Sequence, residues 1–188
     1  EKAIEPQFLM ARDAYVSRDG AVRRAKVAFR DIARSTDERT YIAALLPDCP
    51  CGNVLGVFAT ALPDRPALLA CLDSFPLDWV LRERIGGTHL NYYIVEELPL
   101  CRRSPRDLHE AAGECSRALS WGSCAFAAEW QPLSEPAVSR RAWKRMWGIT
   151  EYERLRLRAM LDAVVAELYG LSPNDLRHIL RECDHPME

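Results

Sequence analysis

The chain has 188 residues, enough for one domain with a real core or one domain plus a small appendage. Its 48% hydrophobic and 28% charged content excludes a disordered chain. A net charge of −2 excludes a nonspecific nucleic-acid coat but permits a local basic face.

No apolar run approaches the roughly 18 residues of a membrane helix, and no signal peptide opens the chain. Seven cysteines, with no repeated CxxC pair, argue against a zinc site and for reduced thiols in a cytoplasm. The first residue is Glu1 rather than Met, which reads as a piece of a longer protein. The small net charge hides segregation. Residues 1–47 carry nine basic and seven acidic side chains, residues 48–101 three and seven, residues 102–148 eight and five, and residues 151–188 five and eight.

In chain order, KVAFRDIAR (26–34) alternates, and Thr40 to Leu46 is rich in β-formers and closes on Pro47. This predicts a hairpin whose two strands flank a five-residue loop, Ser35 to Arg39, with Arg30, Arg34 and Arg39 near one end. Gly52-Asn53 signals a turn before a short strand, Val54 to Phe58. Pro66 starts a helix with Leu68, Leu69 and Leu72 inward. Ser74 caps a second, running to about Arg84, which Gly86 ends by taking a left-handed conformation. After Gly86 a strand entry leads into the buried Tyr93-Ile94-Val95.

Residues 102–148 show no sustained period and read as a loop-rich connection with short helices. Within them RRAWKRMW (140–147) interleaves basic residues with Trp143 and Trp147. Stacking on a phosphate path is one use of that pattern, and a helix face packing on the core is the preferred one. Thr150-Glu151-Tyr152-Glu153 is a capping box opening a helix with an apolar stripe from Leu157 to Leu168. Gly170 stops it, and Ser172-Pro173 starts a last helix.

The expected fold class is α+β: a hairpin-containing sheet packed with helices, a loop-rich segment and a C-terminal helical hairpin. The corresponding boundaries are 1–101, 102–148 and 149–188. No GxGxxG, GxxxxGK[ST], GxSxG or HExxH occurs, so no catalytic residue, metal site or cofactor is assigned to these residues.

FRDIARSTDERTYIAALLP (29–47), GN (52–53) and LLACLDSFPLDWVLRERIGGTHLNYYIVEELPL (68–100) resemble the C-terminal region of large bacterial adenine-specific DNA methylases. These are the type IIG restriction–modification methylases and the BREX- and DISARM-type phage-defence methylases. ERLRLRAMLDAVVAELYGLSPNDLRHIL (153–180) is similar to that family's closing segment, whereas residues 102–148 match it poorly. The resemblance implies a target-recognition region that reads double-stranded DNA. An upstream methyltransferase domain would hold S-adenosylmethionine and the catalytic motif, neither of which has its signature here.

Arg30, Arg34, Thr36 and Arg39 on the hairpin, and Arg84, Gly86, Gly87, Thr88, His89 and Asn91 on the glycine loop, are then the candidate DNA contacts. Arg grips phosphate or guanine, Thr and Asn bond phosphate or an adenine edge, and glycine lets backbone approach closely. Arg82 adds charge, and Asp31 orients a neighbouring Arg rather than touching DNA. The alternative is a protein-docking module of a defence complex with no DNA contact, which the acidic tail favours.

Overall fold

The computed structural model describes residues 9–11, 13–15, 25–58, 64–101, 105–126, 129 and 147–182. Three antiparallel strands, β1 (Lys26–Arg30), β2 (Ala43–Leu46) and β3 (Leu55–Phe58), form a sheet in the order β2–β1–β3. The central strand is buried at Val27, Ala28 and Phe29. Phe29 stands opposite Ala43 on one side and Gly56 on the other. The missing Gly56 side chain makes room for the Phe29 ring, onto which a Cβ at 56 would fall.

The predicted hairpin is present, but its strands end earlier and its connection is longer, residues 31–42. Pairing with β2 stops because residues 31–34 turn toward another partner, described below. Side chains meet backbone amides on both sheet edges, a device that blunts an edge for pairing. Next to and within β2, the Tyr41 amide donates to Asp78 Oδ1 at 2.6 Å and the Ala43 amide to Asp73 Oδ1 at 3.0 Å. On β3 the Val57 amide donates to the Tyr92 hydroxyl at 2.9 Å.

Helices α1 (Arg65–Leu72) and α2 (Phe75–Arg82) follow, with caps at Asp64 and Ser74 whose side chains accept from Ala67 and Leu77 amides. α2 ends at Arg82 with Glu83 as its cap, so Gly86 is not the helix stop, nor is its φ positive. The segment after the expected strand entry forms a short helix, α3 (Tyr92–Glu96), and Tyr93, expected to be buried, is exposed. Ile94, Val95 and Leu98 turn inward at helical spacing, which overrides the β preference of the Tyr-Tyr-Ile-Val run.

Residues 106–120, expected within the loop-rich connection, form a fifteen-residue helix, α4 (Arg106–Ser120). Its buried face is Ala112, Gly113, Cys115 and Ser116, small residues that let it lie close on α1 and on α5 (Glu151–Leu168). The capping box at Thr150 and Glu153 is formed. Gly170, at φ 68°, ends the α5 segment, and α6 (Pro173–Glu182) completes the described chain. α6 packs on α2, with Trp79 and His178 ring centroids 6.5 Å apart.

One core cluster joins the sheet to α1, α2 and α3 and takes in Trp121, Phe126 and Trp147. A second lies among α1, α4 and α5 around Ala70, Ala112, Cys115, Leu161 and Val165. The fold is α+β with a C-terminal helical segment. Among the described residues no helix is long and apolar enough to cross a membrane.

Candidate nucleic-acid interface

Beyond β1 the backbone leaves β2 and pairs with the glycine loop. The Ala33 amide donates to Thr88 O at 3.0 Å, and the Leu90 amide donates to Asp31 O at 2.7 Å. These two bonds bracket an antiparallel bridge between Ile32 and His89. The Asp31 amide donates to Val54 O at 3.0 Å, tying the same residue to the chain before β3. Leu90, 1% exposed, plugs the loop into the core. Two segments chosen from the sequence for separate reasons therefore lie side by side at one end of the sheet.

The turn after this bridge is held rigidly from inside. The Asp37 amide and the Thr40 hydroxyl both donate to Arg34 O, at 3.2 and 3.0 Å, with Thr40 fully buried. Arg82 reaches across from α2. Its Nη1 donates to Ser35 O at 2.6 Å, and its Nη2 to Asp37 O at 2.7 Å and Glu38 O at 2.8 Å. Its Nε donates to Asp78 at 2.8 Å, and Asp78 is 1% exposed. Only a planar fork with several donors can gather three carbonyls and a carboxylate in this way. Arg82, read from sequence as added charge, is thus the clamp that fixes the turn. Its four-residue spacing from Asp78 is the part of this role that a sequence reading could have found.

Held this way, the turn and the loop expose Arg34, Thr36, Arg84, Gly86, Gly87, Thr88, His89 and Asn91. Asn91 occupies the cap position of α3, yet its side chain makes no cap hydrogen bond. Arg30 is half-exposed and paired with Asp37 at 3.1 Å. His89 Nδ1 lies 2.9 Å from Asp31 Oδ2, so Asp31 orients a histidine rather than an arginine. Exposed Ile32, Val54 and Tyr93 add an apolar border.

Arg39 departs from the expected group. Its guanidinium turns inward, 2.9 Å from Asp162 Oδ2 and stacked 3.4 Å above the Phe75 ring centroid, and it donates to Asp73 O at 2.6 Å. Sequence places it at the loop exit, but a carboxylate on α5 and an aromatic face on α2 draw it into the structure. Burial pushes the Asp162 carboxyl above its usual range even with Arg39 beside it. The same desolvation raises Asp73 to about 7, against the pull of the Ala43 amide and Arg39.

The surface formed by the two segments is of mixed sign. Arg30, Arg34 and Arg84 stand among Asp31, Asp37, Glu38 and Glu83. It offers hydrogen-bonding groups more than a uniform positive field. Of the basic and aromatic run 140–147, all but Trp147 lies outside the described residues, and Trp147 is buried in the main core. Among the described residues no group of His, Cys, Asp and Glu is placed to hold a metal ion.

No known protein family and no curated protein matches the chain. Among solved structures, the fold matches part of the Type IIL restriction-modification enzyme MmeI in complex with DNA. The fold is one that a restriction-modification enzyme contains. The match has a TM-score of 0.53 at 15% identity and covers 85% of this chain. It spans 20% of the enzyme's chain, so it relates the fold of this segment rather than the whole protein.

Proposed function

We propose that the chain reads double-stranded DNA, as the specificity module of a larger adenine-specific DNA methyltransferase in restriction–modification or phage defence. The observation that carries this reading is the backbone pairing of residues 31–33 with residues 88–90, which gathers the exposed hydrogen-bonding groups of both segments at one end of the sheet. The clamped turn supports it, because a recognition surface fixed before binding loses little conformational freedom on contact. The likeness in fold to a segment of an enzyme solved with DNA supports it too.

In this reading Thr88, His89 and Asn91 address base edges or phosphates, while Arg34 and Arg84 hold the backbone. Gly86 and Gly87 let the loop approach the duplex closely. Catalysis belongs to an upstream domain that would flip the target adenine and transfer methyl from S-adenosylmethionine.

Fluorescence anisotropy with labelled duplexes at rising salt tests the proposal. Two or three phosphate contacts give a slope of log affinity on log salt of about −2 to −3. Absence of binding to any duplex at low salt, with capture of a protein partner instead, would favour the docking alternative.

A further inference from the structure

Among the described residues, His109 and His89 each lie 2.9 Å from an aspartate, and only the first pair is explained by the fold. His109 Nε2 meets Asp64 Oδ2, while Asp64 Oδ1 caps α1, so that pair fastens α4 to the start of α1. The His89–Asp31 pair fastens no such elements. The backbone of Asp31 is already bonded to Val54 and Leu90, so the strand crossing stands without the carboxylate.

The contact does set the ring. A carboxylate accepts, so Nδ1 carries the hydrogen, and the opposite edge of the imidazole presents Nε2. The His89 side chain is 62% exposed. Across the bridge, His89 and Ile32 form a pair whose side chains project from the same face. The bridge sets the exposed Ile32 beside His89 on that face. A short, oriented acceptor beside an apolar wall is the complement of an amino group next to a methyl-sized surface.

We propose that Asp31 holds His89 as a reader of amino groups. In its neutral form Nε2 accepts a hydrogen bond from the exocyclic amino group of an adenine or a cytosine in the major groove, where those groups are the donors on offer. Asp31 is a positioning residue that does not touch the base. This inference rests on the DNA-reading proposal above and sharpens it to one atom.

The test begins with duplexes selected from a randomised library by the full chain. At one selected position, replacing adenine by purine or cytosine by pyrimidin-2-one removes only the amino group. Wild type is expected to lose about tenfold in affinity there, one contact's worth of discrimination. His89→Ala loses the same amount on the unmodified duplex and shows no further loss on the modified one. Nitrogen-15 spectra without DNA are expected to show His89 with hydrogen on Nδ1 in wild type, and a tautomer mixture in Asp31→Asn. Circular dichroism checks that both variants are folded.

Three results overturn the inference. A wild-type ring with hydrogen on Nε2 makes that edge a donor. An amino-group loss that persists in His89→Ala places the contact elsewhere; in either case DNA reading survives. Enrichment of no sequence by wild type ends the DNA-reading proposal and the base contact together.

Discussion

The Arg39 guanidinium lies 2.9 Å from the Asp162 carboxylate, although the two residues are 123 positions apart. The pair joins the end of the 31–42 connection to α5, and Asp162 also accepts from the Phe75 amide at the start of α2 at 2.8 Å. Side-chain exposures of 18% and 9% leave little water to take over either charge. Arg39→Ala or Asp162→Ala alone is expected to cost about 3–5 kcal/mol, because each leaves the other charge buried without its partner. Urea unfolding measures this. A loss under about 1 kcal/mol would place the pair with solvated surface bridges.

The glycines of the loop make a sharper separation between fold and function. A Cβ added at Gly86 or Gly87 meets nothing within 4 Å, and neither has a positive φ. Gly86→Ala and Gly87→Ala are therefore expected to change stability by less than about 0.5 kcal/mol. Gly56→Ala drives a methyl into the Phe29 ring, at an expected cost of about 1–3 kcal/mol. If the loop variants keep the melting temperature and lose duplex affinity, close approach to DNA is the reason glycine stands there. Large destabilisation by either would assign the glycines to the fold.

Much of this was legible in the sequence, for reasons that individual residues make plain. The alternation of residues 26–34 and the β-formers of residues 40–46 mark the hairpin, and Pro66, Ser74 and Thr150 sit where helices begin. α4 escapes because hydrophobic periodicity registers large side chains, whereas its buried face is Ala, Gly, Cys and Ser. The two segments of the candidate surface can be picked out by composition, but their pairing cannot. Bonds from residues 31–33 to residues 88–90 depend on where α1 and α2 return the chain. Arg39 and Arg82 show the same limit from the other side. Charge is visible in a sequence, whereas the partner that removes it from the surface is not.

Asp73 gives the fold a pH dependence of definite sign. Burial, the largest cause, raises its carboxyl to about 7 from an unfolded value of 3.8. The folded state prefers the protonated form. The contribution is therefore fully present below the unfolded value and is lost as pH rises through the folded one. Urea midpoints are expected to fall between about pH 4 and pH 7, and Asp73→Asn, which keeps a neutral side chain against the Ala43 amide, should flatten that fall. An equal decline in both proteins would trace it to another group.

The central claim is that DNA meets the chain where residues 31–38 and 84–91 come together. Amide chemical-shift mapping of the isotope-labelled chain during duplex titration at low salt tests it most directly. The account predicts the largest changes at Arg34 to Thr36 and Arg84 to Asn91, with α5 and α6 little affected. Changes confined to Glu151–Leu168 or Pro173–Glu182, or none at any duplex concentration, would contradict it.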